Sequence, residues 1–272
     1  MTGDRLGPGP AAGDRHPAWG WELALVAGVS LAQSAVYAVV NLIEIATRAP
    51  LSEAQARLNV EQSTRPWFDL VYQLLGIGFA LVPVALALFL MSRDRVWQAA
   101  GAEVGDVRPA ARRMGFDFAR PGRDLSQGLA LFAVIGLGTL AVYWAGRGLG
   151  LTAEILPNNL SAHWWTVPVL VLAAAKNGIL EEVLLLGYGV DRLEKLRVSP
   201  WLIIIGLALF RGTYHLYQGI GPFIGNVLMG LLFGFLYLRH RRVMPFVVAH
   251  TVIDAVGFLA PGILAAVDPL RS

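Results

Sequence analysis

The chain has 272 residues, 56% of them hydrophobic, 15% charged, and a formal net charge of +3; soluble domains average about 25% charged residues. A soluble globular protein is therefore excluded, and the absence of cysteine excludes a disulfide framework, thiol catalysis and cysteine-ligated zinc or iron-sulfur centres. The basic residues lie in short segments between apolar runs, with no soluble domain large enough for nucleic acid, so they are read as setting membrane orientation.

In chain order, residues 1–18 are rich in Gly, Pro, Arg and Asp without apolar periodicity and are expected to form a disordered cytoplasmic tail. Apolar runs then reach about 20 residues, the length that crosses a bilayer core of about 30 Å. They predict spans over 19–45, 67–91, 125–145, 164–196, 201–217, 222–238 and 244–267. The expected fold class is all-α, a polytopic transmembrane helical bundle of about seven spans. Residues 19–145 hold the first three spans, and 164–267 form a C-terminal core. Between spans two and three, residues 92–124 are read as an ordinary basic cytoplasmic loop in preference to one with a short helix lying on anionic lipid.

Of the 22 Arg and Lys residues, 15 fall in the tail, in 92–124 and in the turns at 191–200 and 239–243, and five fall on the other side. The expected location is a bacterial plasma membrane, and this bias orients the chain with its N-terminus cytoplasmic and, with seven spans, its C-terminus outside. The spacings Gly221 to Gly225 and Gly230 to Gly234 predict close helix packing.

Polar and ionisable residues inside spans are expensive and need a partner or a water-filled cavity. They cluster in the C-terminal core: Lys176, Asn177, Glu181 and Glu182, then Arg211 and His215, then His250 and Asp254. Residues four apart share a helical face, so Asn177 points with Glu181, Arg211 with His215, and His250 with Asp254. Tyr188 is expected near the Glu181 face, and Glu182 is expected to point with Gly178 and Gly189 toward a tight helix contact. Glu181 lies about 15 residues before the turn at 196–200 and His215 about 15 after it, which puts them level in an antiparallel hairpin. His250 is level too if the charged turn at 191–197 projects by about 10 Å. The site is then expected to open toward the cytoplasmic side.

The pattern Asn177-Gly-Ile-Leu-Glu181-Glu182-Val-Leu-Leu-Leu-Gly187-Tyr188, followed by Arg211-Gly-Thr-Tyr-His215-Leu-Tyr-Gln-Gly219 and Pro245-Phe-Val-Val-Ala-His250-Thr-Val-Ile-Asp254, resembles the CPBP family. This is the CAAX-protease and bacteriocin-processing (Abi) group of intramembrane proteases, whose bacterial members are associated with bacteriocin processing or self-immunity. The resemblance implies an endopeptidase acting on a membrane-associated protein or peptide. It implies catalytic roles for Glu181, Glu182, His215, His250 and Asp254, with Glu181 and His215 activating water and His250 and Asp254 stabilising the oxyanion. Asn177 and Arg211 are the supporting residues. The resemblance leaves open a metal-free glutamate mechanism or a divalent metal such as zinc on Glu181, His215 and His250, a donor set that suits zinc.

Two departures stand out. The family's first motif often reads Phe-Arg-Gly where this chain has Leu185-Leu186-Gly187, and its second often has Phe where this chain has Arg211. A displaced arginine would serve the same charge-balancing purpose if Arg211 paired with Glu181 or Glu182. Asp254 cannot donate a hydrogen bond when ionised, so it must be protonated, orient His250 or ligate a metal. The competing reading from another class is a non-proteolytic membrane protein, either a proton-coupled transporter or an inactive immunity scaffold.

Overall fold

In the computed structural model of the protein, residues 18–48, 50–94, 101, 103 and 105–267 are described. The expected tail falls outside them except for Ala18. The first apolar segment forms α1 (Ala18–Gly28) and α2 (Leu31–Arg48), which meet at 54° and so are no continuous span. At the break, the Ser30 hydroxyl donates to the Val26 carbonyl at 2.6 Å, and a side chain competing for backbone acceptors in this way bends a helix. The second segment forms α3 (Pro66–Ala80) and α4 (Val82–Ser92).

The segment after α4 departs from the ordinary loop expected there. It carries a short helix, α5 (Arg108–Arg113), and Met114 just beyond it is buried against Gly187, where an added methyl would meet the Met114 sulfur at 2.6 Å. The Val243 amide donates to the Met114 carbonyl at 2.8 Å, so this segment is tied into the bundle. The third apolar run is α6 (Pro121–Gly148).

The core follows as α7 (Thr166–Glu182), a π-helical turn over Val183–Gly189, α8 (Val190–Lys195), α9 (Pro200–Thr213), α10 (Ile220–His240) and α11 (Met244–Val267). Two short strands absent from the sequence expectations, β1 (Gln55–Asn59) and β2 (Glu154–Asn158), pair in parallel with Ala56 opposite Ile155. Pairing across nearly a hundred residues leaves no signature in either pentapeptide alone.

Helices occupy all seven expected segments, but seven full spans do not follow. Among the described residues three helical stretches are long and apolar enough to cross a membrane, Pro66–Ser92, Pro121–Gly148 and Ile220–His240, and a fourth if α1 and α2 count as one bent span. The fifth expected segment is the clearest correction, because α9 stops at Thr213 and His215 lies in the turn beyond it. Apolar side chains cover the perimeter: Val134, Leu137 and Leu140 of α6 are 63%, 72% and 55% exposed. Such a surface requires lipid, and the chain is an integral membrane protein.

The glycine spacings on α10 do what close packing needs. Gly230 faces Ala208 and Gly234 faces Ile204 on α9, while Gly221 and Gly225 face Gly146 and Val142 on α6. A Cβ at Gly230 would lie 2.8 Å from the Ala208 Cα, a backbone atom that cannot swing aside. Gly230→Val is therefore expected to force α9 and α10 apart and cost about 1–3 kcal/mol, read as a lower thermal midpoint of the detergent-solubilised protein.

At the end of the bundle that carries the basic segments, ion pairs join the pieces. Fully buried Arg192 contacts Asp94 and Asp191 at 3.1 and 2.9 Å and Glu22 of α1 at 3.1 Å, and Lys195 contacts the same Asp94. The Arg192 guanidinium also lies 5.0 Å from the ring centre of Tyr188, so the π turn carries Tyr188 to Arg192. Gly189 abuts Leu207 of α9, so α8 and the first two turns of α9 lie beyond this contact along the hairpin.

Candidate active site

The three motifs converge. Glu181 and Glu182 close α7, where adjacent positions diverge by about 100°, and the two carboxylates meet different partners. Glu182, with no exposed surface, accepts from Arg211 Nη2 at 2.6 Å, and the same oxygen, Oε1, lies 2.6 Å from His250 Nδ1. As expected, Glu182 faces the contact made by Gly178, which packs on Val247 and Thr251 of α11. Arg211 on α9 supplies the positive charge that Leu186, itself buried, cannot. It pairs with Glu182, as the displaced-arginine argument anticipated.

Glu181 turns toward the end of α9. Its Oε2 accepts a hydrogen bond from the Tyr214 hydroxyl at 2.5 Å and lies 4.0 Å from His215 Nε2. Both ring nitrogens of His215 are buried without a hydrogen-bond partner among the described residues. The turn after Thr213 produces this arrangement: in a continuing helix Arg211 and His215 would share a face, whereas here Arg211 reaches Glu182 and His215 reaches Glu181. Gly219, with φ of +102°, then reverses the chain into α10, a left-handed conformation that glycine alone adopts without strain.

On α11 the His250 ring presents Nδ1 to Glu182 and Nε2 toward Asp254 Oδ1, 3.8 Å away. Asp254 is anchored by Asn177, whose Nδ2 donates to Oδ2 at 2.7 Å, and Lys176 Nζ in turn donates to Asn177 Oδ1 at 2.5 Å. Asn177 thus links α7 to α11 through Asp254 and has no hydrogen bond to Glu181.

Tyr214 was missed by the sequence reading. Its signal was its place beside His215, but in a continuous helix that position points away from the histidine face. Tyr214 and Tyr217 also line a cleft of about 640 Å³, together with Tyr37 and Asn41 of α2 and Gln55 and Arg57 of β1. Because β2 follows the far end of α6, this cleft lies at the strand end of the bundle. That is the end opposite the basic segments.

Among the described residues no three His, Asp or Glu side chains gather in a ligating group.

A helical membrane bundle whose interior gathers two glutamates, an arginine and a histidine, all buried, with a half-buried histidine and aspartate, defines a class of polytopic proteins with polar chemistry inside the bundle. Residues 163–256 match the family model described as Rce1-like, Type II CAAX prenyl endopeptidase Rce1-like. This match covers the three motifs and is consistent with the CPBP family of intramembrane proteases. Comparison with curated proteins and with solved structures gave no match.

Proposed function

We propose that this chain is an intramembrane endopeptidase that hydrolyses a peptide bond in a membrane-associated protein or peptide. The observation that carries this reading is the 4.0 Å separation of Glu181 Oε2 and His215 Nε2 in a buried site where the histidine nitrogens have no other hydrogen-bond partner among the described residues. A water at about 2.6–3.2 Å from each group spans such a gap, the distance required of a general base. The family match over the same motifs supports the same class of activity.

In this mechanism the Glu181 carboxylate takes a proton from the water that His215 orients, and the oxygen attacks the scissile carbonyl carbon. The C–N bond then breaks, and the proton held by Glu181 passes to the leaving amine, giving a carboxylic acid and an amine product. Tyr214 is a positioning residue: its hydroxyl holds Glu181 in the orientation facing His215. His250, protonated on both nitrogens, donates from Nε2 to the developing oxyanion while Glu182 fixes the ring through Nδ1. Asp254, anchored by Asn177, faces Nε2 and stabilises the imidazolium. This assigns Asp254 an orienting role and Glu182 a positioning one, and no step runs through a metal.

The substrate approaches through the cleft at the strand end, because Tyr214 forms part of its wall and also bonds Glu181. With the basic end cytoplasmic by the positive-inside bias, that cleft faces the other side of the membrane.

The test is incubation of detergent-purified protein and its variants with a set of membrane-anchored peptides, reading new termini by mass spectrometry. His215→Ala is expected to abolish new termini, and its full activity would remove the water-activation scheme. Tyr214→Phe removes one hydrogen bond to a charged group, a loss of about 1.5–3 kcal/mol. It is expected to lower kcat by about 10- to 100-fold with little change in KM; an effect confined to KM would reassign Tyr214 to substrate binding.

A further inference from the structure

A second cavity, of about 350 Å³, lies on the perimeter of the bundle at the basic end, between α6, α10 and the start of α11. Its rim carries Arg120, Arg123 and His240, and its floor is apolar, with Leu131 and Val134 of α6 and Leu236 of α10. The one carboxylate at this rim, Asp124, is already neutralised, since Arg242 donates to its two oxygens at 2.6 and 2.5 Å. The side chains of Arg120 and Arg123 have no hydrogen-bond or ion-pair partner among the described residues, and both are exposed.

We propose that this cavity is a binding site for an anionic phospholipid, with the headgroup phosphate on Arg120, Arg123 and His240 and an acyl chain in the groove between α6 and α10. Charge complementarity selects the occupant: two guanidinium groups without partners suit a phosphate, which they bind in forked geometry. The groove runs from Arg123 to Val134, about 16 Å along the helix at 1.5 Å per residue, and Val134 is 63% exposed on the lipid-facing surface. A soluble anion would satisfy the rim and leave the apolar floor uncovered; a phospholipid covers both. Basic clusters between helices at the cytoplasmic ends of spans recognise anionic headgroups in this way. Phe246 lines the same cavity one helical turn before His250, and its ring packs 4.9 Å from Phe233. A bound lipid therefore braces the first turns of α11.

The test uses the full-length detergent-purified protein, with phosphatidylglycerol and phosphatidylcholine of identical chains offered in equal amounts and retention read by native mass spectrometry. Wild type is expected to retain phosphatidylglycerol about tenfold or more over phosphatidylcholine. Arg120→Gln with Arg123→Gln, at exposed positions, is expected to abolish the preference while leaving the melt in lipid-free detergent unchanged. Val134→Trp, which fills the groove and keeps both charges, is expected to reduce it. The control pair Arg48→Gln with Arg57→Gln removes the same charge from the strand end and is expected to leave the preference intact. Equal retention of the two lipids by wild type, or an equal loss in the control pair, overturns the proposal. A thermal stabilisation by inorganic phosphate alone that matches phosphatidylglycerol overturns it in favour of a soluble anion.

Discussion

Glu181→Gln is expected to reduce peptide cleavage by about 10²- to 10⁴-fold, the contribution of a positioned general base, while the thermal midpoint stays at the wild-type value. The exchange keeps the size of the side chain and its carbonyl oxygen, so the Tyr214 hydroxyl retains an acceptor at the position it now bonds at 2.5 Å. What is lost is the capacity to take a proton from water and deliver it to the leaving amine. Because Glu181 is separate from the Glu182, Arg211 and His250 group, the helix contacts that close the core are untouched. Measured as new peptide termini per unit time with the melt recorded in parallel, cleavage by the variant at the wild-type rate would reject Glu181 as the base. A joint fall in rate and midpoint would show a structural role instead.

Arg211→Ala is expected to destabilise the protein by about 3–5 kcal/mol, because it breaks a buried ion pair, leaves the His250 ring as the remaining partner of the Glu182 carboxylate and opens a cavity where the guanidinium was. The guanidinium is 1% exposed and Glu182 is not exposed at all, so water cannot take the place of the 2.6 Å bond. Combining Arg211→Met with Glu182→Gln removes both charges and leaves an amide oxygen for His250 Nδ1. This double variant is expected to recover most of the lost stability, in keeping with the near-neutral replacement of buried pairs by uncharged groups of similar volume. Thermal unfolding of the three detergent-solubilised proteins checks both statements. An Arg211→Ala melt equal to wild type would show that Glu182 is held by other means, and a double variant no better than the single would place the cost in packing rather than charge. The same experiment addresses the departure from the family motif, since Leu186 leaves Glu182 without a charge partner on its own helix.

The three motifs were legible in the chain because each is a local pattern of polar residues where lipid exposure forbids them, and their order carried the resemblance that the family match over 163–256 then met. Convergence of Glu181 with His215 was legible as well, from equal distances to one turn. Other features were not. Counting residues along one helix face set Arg211 beside His215, but the backbone leaves the helix after Thr213, and Tyr214 takes a place that helical geometry denied it. Asn177 shares a face with Glu181 by spacing, yet its amide bonds Asp254 on another helix.

The sequence by itself determined what depends on contiguous residues: apolar length and composition made a helical membrane bundle, glycine spacing made the α9–α10 contact, and the motif order made the likeness to a family. Tertiary structure alone decided which polar groups meet. Arg211 and Glu182 are 29 residues apart in the chain and Asn177 and Asp254 are 77 apart, and β1 joins β2 across a comparable distance. The physical reason is that periodicity reports which way a side chain leaves its own helix. The partner it finds, and the face on which a cleft opens, depend on where the helices end and how they cross.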